Sequence, residues 1–402
     1  MKITVKYLSI VLFISAFMMY VSCGPKKENI EKFMEDGVEV IVNHVEPYQV
    51  IGEPSNLILE KVFSFDTEND DIAATGLTDI FRFDVDSEGN IYFLIPPAGQ
   101  GNLIYKFDRN GNFMTSFARR GQGPYELEYP HYMRIITNDE ILIIEPSKSK
   151  SYIFSMDGLP IRETPINKDI DKLIPLENGK YLILFWHTQD MEAKYFSLSI
   201  NLYGSDFKEI KELDMFSKLP NRMIAETIAE KIISGINYVF VGEKSGGNIY
   251  TGNCERGYEI LVYDLEGNLL RKIRKEYKPV EVPEDYKKER MKPFVETEDS
   301  WAKNWGEKIY FPKYWYPFYS FFPDDEGRLF VLTYEEGENP GEYILDIFSS
   351  DGIFIARKSI KHSLSNTRLP ELYIKAKMNH LYCVQKKESG YKELVVYKMR
   401  WE

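Results

Sequence analysis

Short apolar runs recur along the chain, each broken by a turn in which an acid or amide precedes glycine. The clearest copy runs Phe81–Phe93 through Asp86-Ser-Glu-Gly-Asn, then Leu103–Met114 through Asp108-Arg-Asn-Gly-Asn. This pattern predicts a strand, a tight hairpin, a second strand, a gap, a third strand, another hairpin and a fourth strand. It returns at Phe318–Phe330 with Tyr343–Phe354, and at Gly247–Tyr250 with Leu261–Leu269. The run Ile91–Ile95 is continuously apolar, as in a strand buried between packed sheets, whereas Leu103–Asp108 begins to alternate like a more exposed strand.

A repeated four-stranded unit is one blade of a β-propeller. The second strands align on Ile91, Ile141, Tyr181, Ile249, Leu329 and Leu381, which predicts an all-β, six-bladed propeller over residues 51–402. Two of the steps between these anchors are long. In the first, Ile224, Ile228 and Ile232 recur at four-residue spacing after Pro220, which predicts a helical insertion over about 214–235. In the second, a charged stretch punctuated by Pro283 and Pro293 predicts another over about 281–306. The last unit offers only three strands, so Leu57–Phe63 is expected to supply the fourth and close the ring.

The N-terminus carries a separate signal. Lys2 and Lys6 precede an apolar run, Tyr7–Tyr20, too short to span a bilayer comfortably. Val21-Ser22-Cys23 follows directly, at the distance of a bacterial lipoprotein cleavage site. Residues 1–22 therefore read as a lipoprotein signal peptide, Cys23 as the lipidated residue and 23–50 as a flexible tether. The expected location is the cell envelope, periplasmic or anchored at the outer membrane. A formal charge of −12 argues against nucleic acid as a partner. Cys254 and Cys383 fall in blades that are not neighbours and are expected to be two structural thiols.

Arg119-Arg120-Gly121-Gln122-Gly123-Pro124-Tyr125-Glu126 resembles the Arg-x-Gly-Gln-Gly-Pro-Gly-Glu signature of the six-bladed β-propeller lipoproteins of gut-type Gram-negative bacteria, relatives of the NHL-repeat propellers. Tyr125 stands where that signature has glycine. Lys313-Tyr314-Trp315-Tyr316-Pro317 is similar to the same family, and the resemblance spans roughly 57–402 plus the Cys23 region. It implies an exported propeller of undefined ligand, and no particular reaction.

Three groups are candidates for a site. Arg119 and Arg120 either face an anionic ligand at the channel mouth or lock adjacent blades through Glu126 or Glu128. Tyr132, Trp186, Tyr314, Trp315 and Tyr316 either form a ring-stacking face for a sugar or peptide or pack the blades. Asp84, Asp86, Glu88, Asp324, Asp325 and Glu326 are oxygen donors that could take Ca²⁺, yet they sit where hairpins favour acids for turn geometry alone. No CxxC, HExxH or Gly-x-Ser-x-Gly pattern is present, so neither cofactor nor metal is expected. The expected function is a lipid-anchored, non-catalytic module that binds a glycan, a peptide or an envelope partner. The alternative is a metal-dependent lactonase or lyase acting in the central channel.

Overall fold

The computed structural model describes residues 30–50, 52–96, 101–136, 140–167, 169–176, 178–187, 195–220, 232–233, 240–245, 247–253, 256–306, 309–362 and 374–402. Six antiparallel sheets follow one another along the chain, each a four-stranded meander at its core. Blade 1 contains β4 (Arg82–Val85), β5 (Ile91–Leu94), β6 (Asn102–Phe107) and β7 (Phe113–Arg119). Blade 2 contains β8 (Tyr132–Ile135), β9 (Glu140–Glu145), β10 (Lys150–Ser155) and β11 (Pro160–Pro165). Blade 3 contains β12 (Ile170–Pro175), β13 (Tyr181–His187), β14 (Tyr195–Tyr203) and β15 (Glu209–Pro220). Blade 4 contains β17 (Phe240–Ser245), β18 (Asn248–Asn253), β19 (Glu259–Asp264) and β20 (Leu269–Lys275). Blade 5 contains β22 (Ser320–Pro323), β23 (Leu329–Glu336), β24 (Glu342–Phe348) and β25 (Phe354–Lys361). Blade 6 contains β26 (Ile374–Lys377), β27 (His380–Lys386) and β28 (Lys392–Trp401), and takes its fourth strand, β3 (Leu57–Asp66), from the other end of the chain. The chain is thus a six-bladed β-propeller.

Each anchor residue lies on the second strand of its blade. The turns explain why the acids recur. Asp86 accepts the amides of Glu88 and Asn90 through one carboxylate oxygen, and Asp324 does the same for Glu326 and Arg328. Asp108 and Asp264 repeat the device between third and fourth strands. These carboxylates are turn caps that stand in for backbone acceptors. Between blades the contacts are aromatic: Phe65 of blade 6 meets Phe93 and Phe107 of blade 1 edge-on, at 5.1 and 4.9 Å.

Two segments depart from expectation. The stretch 214–235 was expected to be helical, but β15 carries the chain as strand to Pro220. Leu198 opposite Phe216 and Ile200 opposite Asp214 hold it against β14. Ile232–Ile233 then forms β16, parallel to β21 (Ile309–Tyr310). Ile224 and Ile228 lie outside the described residues. The charged stretch 281–306 contains helices Glu284–Val295 and Ser300–Gly306.

The second departure is at the N-terminus. The segment 23–50, expected to be a flexible tether, instead contains β1 (Glu31–Glu35) and β2 (Val38–Asn43). β2 adds in parallel to β20, making blade 4 six-stranded. The cause is complementarity that is invisible locally. β20 presents Arg271, Lys272 and Arg274 at an edge, and β1 and β2 bring Glu35 and Glu39 to meet them. Glu35 lies 2.8 Å from Arg274 and 2.5 Å from Lys272, and Glu39 lies 2.7 Å from Arg271. Val40 and Ile41 are fully buried alongside. The chain then crosses to blade 5, where the Asn43 side chain donates to Gly352 O and accepts from Phe354 N. An exposed edge of blade 4 is thereby covered.

The Arg274 and Lys272 hydrogen bonds push the Glu35 carboxyl down to about 2. A carboxyl lowered in the folded state contributes stability above its unfolded value and loses it as pH falls toward the folded one. Acidification from pH 5 to pH 2 should therefore open the 32–43 segment while the inner strands of blade 4 stay protected. Hydrogen exchange read by mass spectrometry on 32–43 and on 259–264 tests this. Glu35→Gln should raise exchange in 32–43 already at neutral pH; equal exchange in parent and variant would show that these pairs do not hold the hairpin.

Candidate functional site

Antiparallel meandering starts every innermost strand at the same rim of the ring. The connections from fourth to first strands, and from second to third strands, gather there. Arg119, Arg120, Trp186 and Tyr314–Tyr316 all belong to this rim by their place in the topology. Tyr132 begins β8 at the same rim, but its side chain is fully buried with Leu142, Ile144 and Ile153 in the packing between blades 2 and 3. It presents no ring to a ligand, which corrects its place among the ring-stacking candidates.

The blade 1 to blade 2 crossing is built around a carboxylate. Glu126 folds back to accept the Gly123 amide at 2.9 Å, and a Cβ at Gly121 would lie 2.0 Å from the same oxygen. The glycines therefore make room for Glu126. Tyr125 adopts the left-handed conformation, φ 57°, that the glycine of the resembling signature would take freely. Its ring packs edge-on to Phe154 at 6.4 Å. The lock between the blades comes from a residue the sequence did not flag. Lys148 donates to Gly121 O and Glu126 O and sits 3.6 Å from Glu128 and 3.7 Å from Glu145. Glu145, fully buried, accepts the amides of Glu128 and Tyr129. Arg119 is exposed and makes no ion pair among the described residues.

The aromatic segment divides by role. Val282 N donates to Lys313 O and Trp315 N to Val280 O, so 280–282 and 313–315 pair at the base of the helical insertion. The Trp315 ring stacks on Tyr334 at 4.4 Å and 6°, and Tyr286 of helix Glu284–Val295 meets it edge-on at 4.8 Å. Trp315 thus fastens the insertion to blade 5. Tyr314 is 40% exposed, with the Lys313 ammonium 4.9 Å from its ring centre and Glu281 3.4 Å from that ammonium. Tyr316 and Trp186 are partly exposed. His187, beside Trp186, shares a 2.7 Å hydrogen bond with Ser199.

The innermost strands carry a second group. Asp84 on β4 accepts Ile135 N of β8 at 2.8 Å and Val85 N at 2.8 Å, and pairs with Lys375 of β26. Lys377 donates to Val85 O at 2.7 Å. Burial alone would raise the Asp84 carboxyl, but Lys375, Arg134 and Lys377 outweigh it and hold it below the usual carboxylate range. Lys375 lies below its usual value, first through burial and then through repulsion by Arg134 and Lys377, against the pull of Asp84. A single carboxylate shared among three cations favours the charged Asp84, while burial is the larger influence on Lys375. Asp84 thus joins blades 6, 1 and 2 near the axis. Of the other oxygen donors, Asp86, Glu88 and Asp324 bond within their own turns, and Asp325 accepts Met378 N. No group of three or more His, Cys, Asp or Glu side chains that could hold a metal occurs among the described residues.

The buried thiol Cys383 lies 3.5 Å from His362 Nδ1 and is unpaired with any other cysteine. Burial pushes the thiol up to about 12 and the imidazole down to about 4, so both are neutral at physiological pH. Cys254 lies outside the described residues.

A family described as a 6-bladed beta-propeller, DUF5128, matches residues 84–241, which span the first three blades. Among solved structures, the chain is similar to an inferred exported protein of Bacteroides fragilis NCTC 9343, at 11% identity and TM-score 0.48, over 90% of this chain and 99% of that one. A DUF4221 family member from Bacteroides vulgatus shows 12% identity and TM-score 0.47, over 87% and 99%. Virginiamycin B lyase from Staphylococcus aureus shows 10% identity and TM-score 0.41, over 85% and 99%. No curated protein matches the chain.

Removing the Asp84 charge leaves Lys375, Lys377 and Arg134 facing one another across blades. Asp84→Asn should lower stability by about 2 kcal/mol in denaturant titration, less than a fully dry pair because Lys375 is partly exposed. A loss below about 0.5 kcal/mol would show that the axis does not depend on this charge, since surface changes fall in that range.

Proposed function

We propose that this propeller is a non-catalytic binding module, exported and lipid-anchored, that takes a glycan, peptide or envelope partner on the rim where the innermost strands begin. The observation that carries this reading is a division of labour between the channel wall and that rim. Asp84, the carboxylate that might suggest chemistry at the axis, spends its acceptors on two backbone amides and a lysine that hold blades together. What faces outward is the surface proposed for recognition: the open Tyr314 ring with Lys313 beside it, the partly exposed Trp186 and Tyr316, and Arg119, which has no ion pair among the described residues. Exposed rings stack on sugar faces or peptide side chains, and cations beside them select anionic groups.

Arg120 remains a candidate on the same rim, with its amide held by Gly101 O. Trp315 serves the surface indirectly, by fixing the segment that carries Tyr314 against blade 5 and the base of the insertion. The reading assigns Cys23 as the anchor and the cell envelope as the location, on the strength of Lys2, Lys6, the apolar run and Val21-Ser22-Cys23. Cys23 itself lies outside the described residues.

The two roles of the aromatic segment separate experimentally. Tyr314→Ala should weaken binding in a glycan and peptide array by about fivefold and leave melting unchanged, because an exposed stacking ring contributes on the order of 1 kcal/mol. Trp315→Ala should lower the melting temperature, because it empties a stack against Tyr334. Unchanged array binding in Tyr314→Ala, Arg119→Ala and the double variant would remove the rim from consideration. For the anchor, intact-mass measurement of native protein should show an acylated N-terminal Cys23, and Cys23→Ala should leave the protein unprocessed. A mature N-terminus elsewhere without acyl mass would overturn it.

A further inference from the structure

The turns between third and fourth strands superimpose in their hydrogen bonding. Asp108–Asn112, Ser155–Leu159, Gly204–Lys208, Asp264–Asn268 and Ser349–Ile353 each close with two backbone hydrogen bonds between matching positions. In blades 1, 2, 4 and 5 the fourth residue is glycine: Gly111, Gly158, Gly267 and Gly352. Each of these glycines seats on an outer strand of the preceding blade. A Cβ would lie 2.3 Å from Phe117 at Gly158, 2.7 Å from Ile273 at Gly352, 3.1 Å from Leu213 at Gly267 and 3.7 Å from Phe65 at Gly111. Blade 3 alone of these five breaks the rule. Its turn carries Phe207, held at φ 57° and 41% exposed. A bulky residue in that conformation is strained, and such strain persists where the surroundings enforce it.

The consequence lies between blades 2 and 3. Where a glycine would let the turn seat on β11, a cleft of about 470 Å³ remains. Its blade 2 wall is one cross-strand row, Leu142, Ile153 and Arg162. Its blade 3 wall includes Leu173, Tyr181 and Phe207, with the two rings stacked at 4.6 Å and 15°. The cleft is of ligand size, and its apolar sides are interleaved with Glu140, Ser151, Arg162, Thr164, Lys180 and Ser205. Arg162, on the outermost strand, makes no ion pair among the described residues. Lys180 adds a second cation, already directed to Leu265 O and Glu266. Glu140 also lines the cleft, at the start of β9, and disfavours an anion beside it. The lining turns lie between first and second or third and fourth strands, so the cleft opens at the rim opposite Tyr314.

We infer that this cleft binds a small amphiphile with an apolar, ring-sized body against Tyr181 and Phe207 and an anionic head at Arg162. The Phe207 departure and the cavity are separate observations that point to the same place.

The probe is 8-anilinonaphthalene-1-sulfonate, which has both features, titrated against the folded protein with melting followed in parallel. Saturable binding at one site is expected. Arg162→Gln should weaken it about tenfold through loss of a charge-assisted contact. Phe207→Gly should abolish it by restoring the glycine turn, with melting unchanged or raised. A naphthyl trimethylammonium of similar size should not compete. Absence of saturable binding to folded protein, or equal affinity in the parent and both variants, would overturn the proposal.

Discussion

The pairing of β3 with β28 is the constraint on which the rest of the ring depends. Nine residue pairs, from Glu393–Asp66 to Trp401–Leu57, join the two ends of the propeller into one sheet. Each blade is a wedge whose two faces are apolar, so an open row of six would leave two faces wet and two edges unpaired. Closure buries them, and it also fixes which side chains reach the axis. Asp84 can touch β8 and β26 together only because blade 6 is held beside blade 1. The entropic cost of joining such distant residues grows only slowly with separation, but the search for them makes folding slow.

Within the closed ring, neighbouring blades are indexed by buried charge as well as by apolar packing. Lys275 of blade 4 meets Asp346 of blade 5 at 3.3 Å, both essentially dry, and Tyr258 and Arg357 complete the carboxylate's shell. Asp214 of blade 3 receives both ends of the Arg256 guanidinium of blade 4 at 2.7 Å and the Thr251 hydroxyl at 2.9 Å. Burial still raises the Asp346 carboxyl, against the pull of Lys275 and Arg357. Such pairs add little to net stability over an apolar contact, yet removing one partner strands the other in a dry interface. Their effect is to admit one stagger between blades, where flat apolar faces alone would tolerate several.

What was legible in the sequence was whatever a strand and its hairpin encode locally. Ile91, Ile141, Tyr181, Ile249, Leu329 and Leu381 land on second strands because each is bracketed by its own turn and its own apolar run. The missing fourth strand of blade 6 could be counted. The N-terminal hairpin could not be seen, because Glu35 and Glu39 acquire meaning only opposite Arg271, Lys272 and Arg274, more than two hundred residues away in the chain. Lys148 carries no local mark, because its role depends on Gly121 O and Glu126 O, which only the folded crossing brings to it, whereas Arg119 and Arg120 stand beside the glycine loop in the sequence. Tyr132 could not be told from Tyr314, since the pattern that marks a strand start does not say whether its first ring turns inward. Phe207 is a different case: the aligned turns ending in Gly111, Gly158, Gly267 and Gly352 display the exception in the sequence itself.

If the chain is held by its N-terminus, as proposed above, the placement of β1 and β2 has a mechanical meaning. Residues 32–50 lead from blade 4 to blade 5, and 52–56 lead into the strand that closes blade 6. Tension arriving from the N-terminal side meets the Glu35 and Glu39 contacts on β20 first, then the Asn43 clasp on blade 5. Only after both give way does load reach β3. On that reading the added strands form a link in series with the ring, which would yield before the closing sheet is loaded.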